Sequence, residues 1–327
     1  MNYIPETVRR GGTVLSCAPV DRIRFEGKRA VGVTGRFRHP LTRRKGQRFS
    51  VRAKTAVLVA ASATRSPVLL RRSGVRLPAL GRYFRAHPGS GIFGVYDDPV
   101  DMNRGATQGW ASTALRNSDG IKLEVLSLPP ELVASRLAGA GPALMERLRD
   151  YRHMAMWCLS VRAESTGRVY AGPFGTPIVR YQMNRRDMAL LREGAWHVAR
   201  LHVAAGAKRV VPGIFGLPYS LDANDVDKIR TASINPQAWT AILSHLFGGC
   251  VMGADPRRSV CDPTGAVRGR KALYVVDASA LPTTLGVNPQ HTIMAMARIQ
   301  AERMLDKNRR MPRQTGKVIS IRSKLSA

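Results

Sequence analysis

A continuous apolar run near the N-terminus constrains the fold of this chain more than any other feature. Residues 55–60 read Thr-Ala-Val-Leu-Val-Ala. Such a run is typical of a strand buried on both faces, as in a parallel sheet. The next segment predicts a helix capped by Ser66, with Pro67 in its first turn and Gly74 at its end. Strand, tight loop and helix in this order form one unit of an open α/β sheet.

The rest of the chain predicts two regions of different character. Short strands are expected at residues 13–16 and 30–34, and helices near 142–153 and 186–205. A strand at 272–276 and a helix at 292–305 restore α/β character near the C-terminus. Six residues of that last helix have core-facing spacing: Ile293, Met296, Ala297, Ala301, Met304 and Leu305. We therefore expect the helix to pack against the core.

The net charge of +30 over 327 residues has two interpretations. One is a surface that binds polyanions. The other is a charge spread over solvated faces by an Arg-rich composition. The basic residues are scattered along the chain, and aromatic residues make up only 6% of it, which leaves few platforms for base stacking. We therefore favour the solvated faces and expect no specific nucleic-acid partner, with polyanion binding kept as the alternative.

Cysteine usage and hydropathy predict where the protein resides. The four cysteines form no C-x-x-C pair, which favours free thiols in a reducing cytosol over a disulfide framework or zinc site. His197 and His202 are five residues apart, so they do not share a helix face suited to a metal. No apolar run is long enough for a transmembrane segment. The expectation is a cytoplasmic protein.

A glycine pattern at residues 89–94 imitates a dinucleotide-binding motif. The segment reads Gly-Ser-Gly-Ile-Phe-Gly, which matches G-x-G-x-x-G. That motif requires a buried strand before it and a helix N-terminus after it. Here residues 85–88 read Arg-Ala-His-Pro, and Asp97-Asp98-Pro99 soon follows. We interpret the segment as a glycine-rich strand or loop.

The segment 244–292 concentrates the residues that can carry chemistry. His245 precedes a glycine pair, Gly248 and Gly249, that permits close approach of backbone or ligand. Asn288-Pro289 has the residue types of a helix cap and first turn, and such a helix start offers free N–H groups to an anion. By themselves, however, a histidine among glycines is more often structural than catalytic, and Asn-Pro is most often a plain cap.

The order of motifs in this segment resembles the C-terminal signature of the glucose–methanol–choline (GMC) oxidoreductases. The chain contains His245-x-x-Gly-Gly-Cys-x-Met-Gly, Asp255-Pro256, Ser259-Val260-Cys261-Asp262, Val275-Val276-Asp277-Ala278-Ser279 and Asn288-Pro289-Gln290-His291-Thr292. Residues 62–75 resemble a second signature of the family. They depart from it at Arg76, where the family has Gly, and at Ala61-Ser62, where it has an Ala-Gly pair.

The resemblance implies FAD-dependent oxidation of a small-molecule alcohol by hydride transfer. His245 would take the alcohol proton and Asn288 would orient the alcohol oxygen. The helix opening at Pro289, with Thr292 in its first turn, would face the flavin ring. Asp277 and Ala278 would contact the ribityl–pyrophosphate part, and Val20 the adenine. His291 would face either the flavin or solvent.

The resemblance also implies a division into domains. We expect a partial FAD-binding Rossmann-like domain at 1–81 and 240–306. A substrate-binding domain with an antiparallel sheet and helices would span 82–239, followed by a basic flexible tail at 307–327. The fold class is α/β (α+β). The family's N-terminal G-x-G-x-x-G unit does not occur, so we expect a truncated member that by itself binds FAD more weakly than about 1 μM. The alternatives are one half of a split enzyme with a separate N-terminal flavin-binding chain, an inactive remnant, or a basic polyanion-binding protein.

Overall fold

The computed structural model describes residues 3–305, so the predicted tail at 307–327 lies outside the described residues. The strands are β1 (Val20–Glu26), β2 (Arg29–Arg38), β3 (Lys45–Arg52), β4 (Val57–Val59), β5 (Arg85–Val95), β6 (Ala111–Ser112), β7 (Ile121–Val125), β8 (Met154–Val161), β9 (Arg168–Ala171), β10 (Pro177–Arg180), β11 (Arg209–Val211), β12 (Leu221–Asp222), β13 (Ala241–Phe247) and β14 (Leu273–Val275). The helices are α1 (Tyr3–Arg9), α2 (Ser62–Arg72), α3 (Pro130–Ala134), α4 (Pro142–Leu148), α5 (Arg185–Ala204) and α6 (Gln290–Leu305). Five 3₁₀ segments complete the elements: Arg149–His153, Pro173–Gly175, Ala223–Thr231, Pro236–Ala238 and Ala278–Ala280.

A seven-stranded antiparallel sheet organises residues 82–247, which we call the large-sheet lobe. Its strand order is β12-β11-β5-β8-β7-β6, and β13 also pairs with β5. Helix α5 packs across the sheet through Leu191, Ala195 and Val198, all fully buried. Their spacing places them on one face of the helix, and the Asn184 side chain caps its start by accepting from the Asp187 backbone N–H. The predicted helices near 142–153 and 186–205 are both confirmed.

Strand β5 contains the glycine pattern at 89–94, which confirms that the pattern is not a nucleotide-binding loop. A Cβ at Gly89 would lie 2.5 Å from the Leu159 carbonyl oxygen on β8, and one at Gly94 would lie 2.4 Å from the His202 ring on α5. Both distances are shorter than real contacts of a Cβ. These glycines therefore serve the close packing of the sheet against its neighbours.

The remaining described residues, 3–81 and 248–305, form what we call the parallel-sheet lobe. Strands β4 and β14 pair in parallel, and β1, β2 and β3 form a separate antiparallel sheet. The parallel pairing of the apolar run is confirmed, but its burial on both faces is wrong. Leu58 is 45% exposed, although Val57 and Val59 are buried. Within residues 3–305 no third strand joins the pair, and the face of β4 that carries Leu58 lines an open groove.

Helix α2 begins at Ser62, five residues earlier than expected, so Ser66 does not cap it and Pro67 lies inside it. The reason lies far away in sequence. The Ser66 hydroxyl donates to the Asp277 carboxylate at 2.5 Å, and the Ser62 backbone N–H donates to the same oxygen at 3.0 Å. The expected stop is confirmed: the helix ends at Arg72, and Gly74 follows with a φ of 85°.

Of two other expectations for the parallel-sheet lobe, one is wrong and one is met only in part. Residues 13–16 form no strand. Val14 and Leu15 are each 52% exposed, and without a partner strand their β propensity stabilises nothing. Helix α6 is present and its Met296 packs against the core cluster of this lobe, but none of its six expected core residues is fully buried. Gln300 is the one buried residue of the helix, and Leu305 is 82% exposed. Amphipathic spacing leads to burial only where another layer covers the apolar face.

The hydrophobic clusters separate only in part along the proposed division between 1–81 with 240–306 and 82–239, because one of them joins Ala63 and Val68 to Phe84 and Val169 across it. One buried cluster joins Ile23, Leu70 and Val275 in the parallel-sheet lobe. Two others join residues between 92 and 239 in the large-sheet lobe. Strand β13 lies at the boundary, because it follows residue 240 but pairs with β5. We keep this division as a proposal. Among the described residues, no helix has both the length and the apolar character needed to cross a bilayer.

Candidate active site

His245 lies on β13 where that strand meets β5. The pairing is irregular between Leu243 and His245, and His245 is the register partner of His87. Burial lowers the pKa of His245, the Glu124 carboxylate raises it, and the Lys122 ammonium lowers it. The imidazole is therefore neutral near pH 7 and can accept a proton.

His87 packs behind His245 and is almost fully buried. The two ring centroids are 5.7 Å apart in an edge-on arrangement, and Phe247 also packs edge-on against His87 at 5.0 Å. The His87 Nε2 accepts from the backbone N–H of Gly286 at 2.8 Å and of Leu285 at 3.1 Å. Burial, His245 and Lys122 together lower its pKa to about 4. His87 is thus a neutral group that holds the loop leading to Asn288.

Asn288 does not act as a plain helix cap, which corrects the expectation from its sequence position. Its side-chain oxygen Oδ1 accepts from Lys122 Nζ at 2.6 Å, and its Nδ2 donates to Glu124 Oε2 at 3.3 Å. Lys122 and Glu124 also form an ion pair of 2.6 Å with side chains only 11% and 14% exposed. Two charged residues of β7 therefore fix the orientation of the Asn288 amide.

The four residues Lys122, Glu124, His245 and Asn288 form one polar group, which we call the active-site cluster. Sequence reasoning identified only His245 and Asn288. It missed Lys122 and Glu124, although a signal was present: strand β7 reads Ile-Lys-Leu-Glu-Val, and its first three residues are buried. Charged residues almost never occupy a buried strand without a partner, so this alternation marks a polar site.

Helix α6 begins next to this cluster, as the sequence indicated. Its first backbone bond runs from the Ile293 N–H to the Pro289 carbonyl. The N–H groups of Gln290, His291 and Thr292 therefore lack helix partners and point away from the helix start. His291 and Thr292 are exposed, so this end of α6 is open to an anionic or electron-rich group.

The Asp277 carboxylate bonds to groups of the protein itself, unlike a carboxylate that contacts a ligand. Its side chain accepts from the Ser62 N–H, the Ser66 hydroxyl and the Ser279 N–H, and the residue is 7% exposed. This carboxylate joins the start of α2 to the segment after β14. The neighbouring Ala278 carbonyl accepts from the Gly248 N–H at 3.2 Å. The Asp277 charge is thus engaged by protein groups. Backbone groups remain available to contact a ligand.

Val20 lies apart from the active-site cluster, in a groove of about 380 Å³ in the parallel-sheet lobe. The apolar wall of the groove includes Leu58 and Ala60, and Arg65 and Arg72 contribute cationic groups. Val20 itself is 38% exposed. An apolar wall beside arginines suits a heterocycle attached to phosphate.

Comparison with known proteins gives a consistent result. Sequence models described as GMC oxidoreductase match residues 1–89 and residues 163–297. An uncharacterized GMC-type oxidoreductase of Mycobacterium tuberculosis is 35% identical over 309 residues, which cover 94% of this chain and 48% of that protein. The long-chain-alcohol oxidase FAO1 of Arabidopsis thaliana is 30% identical over 293 residues, covering 83% of this chain and 37% of that protein. The chain thus spans about half or less of the length of these relatives.

A solved structure shows the same fold. Pyridoxine 4-oxidase from Mesorbium loti superposes with a TM-score of 0.66 at 20% sequence identity, over 90% of this chain and 58% of that one. The fold class is α/β (α+β), with part of an FAD-binding fold beside an antiparallel sheet. Motif order, sequence models and fold agree, and the chain belongs to the GMC oxidoreductase family.

Proposed function

We propose that this chain supplies the alcohol-binding site and one wall of the flavin site of an FAD-dependent alcohol oxidoreductase. The observation that carries the proposal is the active-site cluster, in which a neutral imidazole, an amide and a buried ion pair meet beside the start of α6. The relative named a long-chain-alcohol oxidase supports an alcohol as substrate. One form of the proposal is a split enzyme, in which a separate N-terminal chain binds the remainder of the flavin.

The residues present fit FAD at two places. The Val20 groove offers an apolar wall and two arginines, which suits an adenine with its phosphates. The open start of α6, at Pro289 and Thr292, offers N–H groups that suit the electron-rich edge of a flavin ring. Ala278 would hold the connecting ribityl–pyrophosphate part through its backbone. Asp277 would shape that contact by holding the start of α2.

The chain's own residues then perform the proton chemistry. When bound, the flavin supplies the acceptor for the hydride. His245 accepts the hydroxyl proton of the alcohol, and the nearby Glu124 carboxylate stabilises the imidazolium that results. Asn288 has one Nδ2 hydrogen left after its bond to Glu124, and it donates this hydrogen to the alcohol oxygen.

Lys122 acts as a positioning residue. An amide can present either its oxygen or its NH₂ group to a substrate, and the two groups have nearly the same shape. Because Lys122 Nζ can only donate, its bond to Asn288 Oδ1 turns the NH₂ group toward the other side. The ion pair with Glu124 offsets part of the desolvation penalty of the buried lysine charge. Lys122 thereby ensures that the alcohol oxygen meets a donor.

The direct test supplies the part of the flavin site that this chain does not match. The unmatched N-terminal region of the M. tuberculosis relative is fused to the chain, and flavin reduction by medium- and long-chain primary alcohols is followed by absorbance. His245→Ala should slow reduction on the order of a hundredfold or more. The control is His197→Ala, on the surface of α5, which should leave the rate unchanged. Equal rates in wild type and His245→Ala would remove His245 from the mechanism.

A second test needs no flavin. The ring signals of His245 in the isolated chain are followed by NMR as a function of pH. Lys122→Met should raise the pKa of His245, because a nearby positive charge is lost, and Glu124→Gln should lower it. Lys122→Arg restores the charge but not the compact geometry. It should therefore return the pKa of His245 to its value in the unmodified chain. In the fused protein of the first test, the same variant should still impair flavin reduction. An unchanged pKa of His245 in all three variants would show that the cluster does not form.

A further inference from the structure

Residues 20–54 carry a disproportionate share of the chain's positive charge. This segment of 35 residues contains twelve Lys and Arg but only Asp21 and Glu26 as acids. The full chain of 327 residues has a net charge of +30, so about a third of the charge resides in about a tenth of the length. The charge is thus not evenly scattered, which modifies the expectation from composition. The same segment folds as β1, β2 and β3, which we call the basic sheet.

The basic sheet exposes this charge to solvent. All residues of β3 are exposed except Phe49, which is half-buried. A groove of about 1140 Å³ runs against β2 and β3, and six cations line it: Arg22, Arg36, Arg38, Lys45, Arg48 and Arg72. Asp21 is the one acid in its lining. Among residues 3–305, none of the six cations makes an ion pair.

The hydrogen bonds that hold these arginines leave their charge uncompensated. Arg36 donates to the Gly46 carbonyl and Arg38 to the Arg43 carbonyl. Arg72 donates to the Phe174 carbonyl at 3.4 Å. Carbonyl groups orient a guanidinium without neutralising it. The result is a fixed field of positive charge that attracts an anionic partner.

Two large apolar side chains accompany these cations in water. Leu41, at the tip of the β2–β3 hairpin, is 86% exposed and is followed by Arg43, Arg44 and Lys45. Phe174, which also lines the groove, is 99% exposed and has a φ of 56°, a backbone conformation that costs energy for a bulky residue. Folding therefore holds a leucine and a phenylalanine in water beside a cluster of cations.

We propose that the basic sheet docks onto the surface of a bilayer that contains anionic phospholipids, with Leu41 and Phe174 entering the interfacial region. Exposed apolar side chains beside Lys and Arg are the combination that interfacial binding uses, because charge attracts the headgroups and apolar side chains leave water. Nucleic acid is the other large anion. The observations favour lipid, because single-strand binding relies on several stacking aromatics, whereas Phe37 and Phe49 pack against each other with centroids 5.1 Å apart.

The test measures partition of the full chain onto sucrose-loaded vesicles by sedimentation. Vesicles of phosphatidylcholine with 30 mol% phosphatidylserine, roughly as in anionic cell membranes, are compared with pure phosphatidylcholine. We expect binding to the anionic vesicles only, with loss at about 0.5 M NaCl. Replacing Arg43, Arg44 and Lys45 by Gln should lower the partition coefficient about a hundredfold, since each charge contributes about fivefold. Leu41→Ser should lower it about tenfold.

The matched control removes three charges from the large-sheet lobe. Arg104, Arg149 and Lys208 are exposed there with side chains 80%, 77% and 65% accessible. Replacing all three by Gln should change the partition less than about fivefold. An equal loss in both triple variants would overturn the proposal, because net charge alone would then explain binding. All variants retain residues 306–327, so the basic residues there are common to every comparison.

Two competitors distinguish the other possible occupants. Displacement from vesicles by 1 mM FAD, about a thousandfold above a micromolar site, would assign the groove to the flavin, whose proposed Val20 site borders it. Displacement by a 20-nucleotide single-stranded DNA, together with no effect of Leu41→Ser, would assign it to nucleic acid. Either result overturns lipid docking. Displacement by FAD would support the flavin site of the proposed function, because the Val20 groove and the basic-sheet groove share Arg38, Arg72 and Phe174. Displacement by DNA would leave the proposed oxidation untouched, because the basic sheet contains no residue of the active-site cluster.

Discussion

The two lobes bury their apolar surface to very different degrees. In the large-sheet lobe, seven strands pair with one another and α5 covers the sheet, with Leu191, Ala195 and Val198 fully buried. In the parallel-sheet lobe, β4 and β14 have three residues each, and α6 has Gln300 as its one buried residue. Both lobes use strands and helices of ordinary pattern. The difference shows that an amphipathic pattern supplies an apolar face, whereas burial depends on a second layer of matching shape.

A matched pair of buried aspartates gives the largest expected effect. Asp187 accepts from the Glu164 N–H and from the N–H and hydroxyl of Ser165, as Asp277 accepts from three donors in the other lobe. Changing either to Ala leaves buried donors unpaired and should reduce the free energy of unfolding by about 3–5 kcal/mol. Urea unfolding measures the loss, and the corresponding Asp→Asn variants should lose less.

The same experiment tests whether the lobes unfold separately. All four tryptophans, at 110, 157, 196 and 239, lie in the large-sheet lobe. Asp187→Ala should therefore shift the fluorescence transition, and Asp277→Ala should shift circular dichroism while leaving fluorescence nearly unchanged. Coincident shifts of both signals in both variants would show one cooperative unit and remove the contrast between the lobes.

Core truncation in one helix of each lobe should give the next largest difference. Leu191→Ala on α5 should reduce the free energy of unfolding by about 3 kcal/mol, because it empties a fully buried position. Ile299→Ala on α6 should cost less than about 1 kcal/mol, because Ile299 is 47% exposed. Chemical denaturation of the two variants measures both values. Equal losses would mean that α6 is buried in solution.

Acid should destabilise the large-sheet lobe selectively. Burial lowers the pKa of His202 to about 4, and burial together with the nearby His245 and Lys122 does the same for His87. The unfolded chain binds these protons near its ordinary pKa of about 6.5, so stability falls as the pH drops from about 6.5 toward 4. At pH 5 each histidine should lower the free energy of unfolding by about 2 kcal/mol. The tryptophan-detected transition measured at pH 7 and pH 5 checks this.

The control for the acid effect is His202→Gln, which removes one titrating group. Its lower stability at pH 7 should be accompanied by a smaller loss on going to pH 5. A loss as large as that of the unmodified chain would show that His202 does not titrate during unfolding. In the parallel-sheet lobe, His39 and His291 are exposed, so its dichroism-detected transition should have a weaker dependence over the same range.

A single backbone position in the parallel-sheet lobe gives the smallest expected effect. Ser62 has a φ of 90°, a conformation that favours glycine. Ser62→Gly should therefore raise the free energy of unfolding by about 1 kcal/mol, because it relieves the strain. Ser62→Ala retains the strain and should not stabilise. Thermal unfolding followed by dichroism separates the two variants, and destabilisation by Gly would contradict the assigned conformation.

Local patterns predicted the elements well where the signal was itself local. The strand at 30–34, the helices of the large-sheet lobe, the end of α2 at Gly74 and the start of α6 all follow from turn residues and periodicity. The failures have a common cause. Residues 13–16 have the right pattern but pair with no strand, and the apolar face of α6 is only partly covered, through Met296. The start of α2 moved because Asp277, more than two hundred residues away, binds Ser62 and Ser66.

The sequence by itself determined the family, because the order of short motifs around His245 and Asn288 is specific and needs no coordinates. Only the tertiary structure decided what surrounds those two residues. Lys122 and Glu124 reach Asn288 because β7, β8, β5 and β13 pair in one sheet, and His87 meets His245 through the register of β5 with β13. Strand pairing across a hundred residues or more depends on the packing of the whole lobe. The spacing of residues within a short segment of sequence therefore does not predict it.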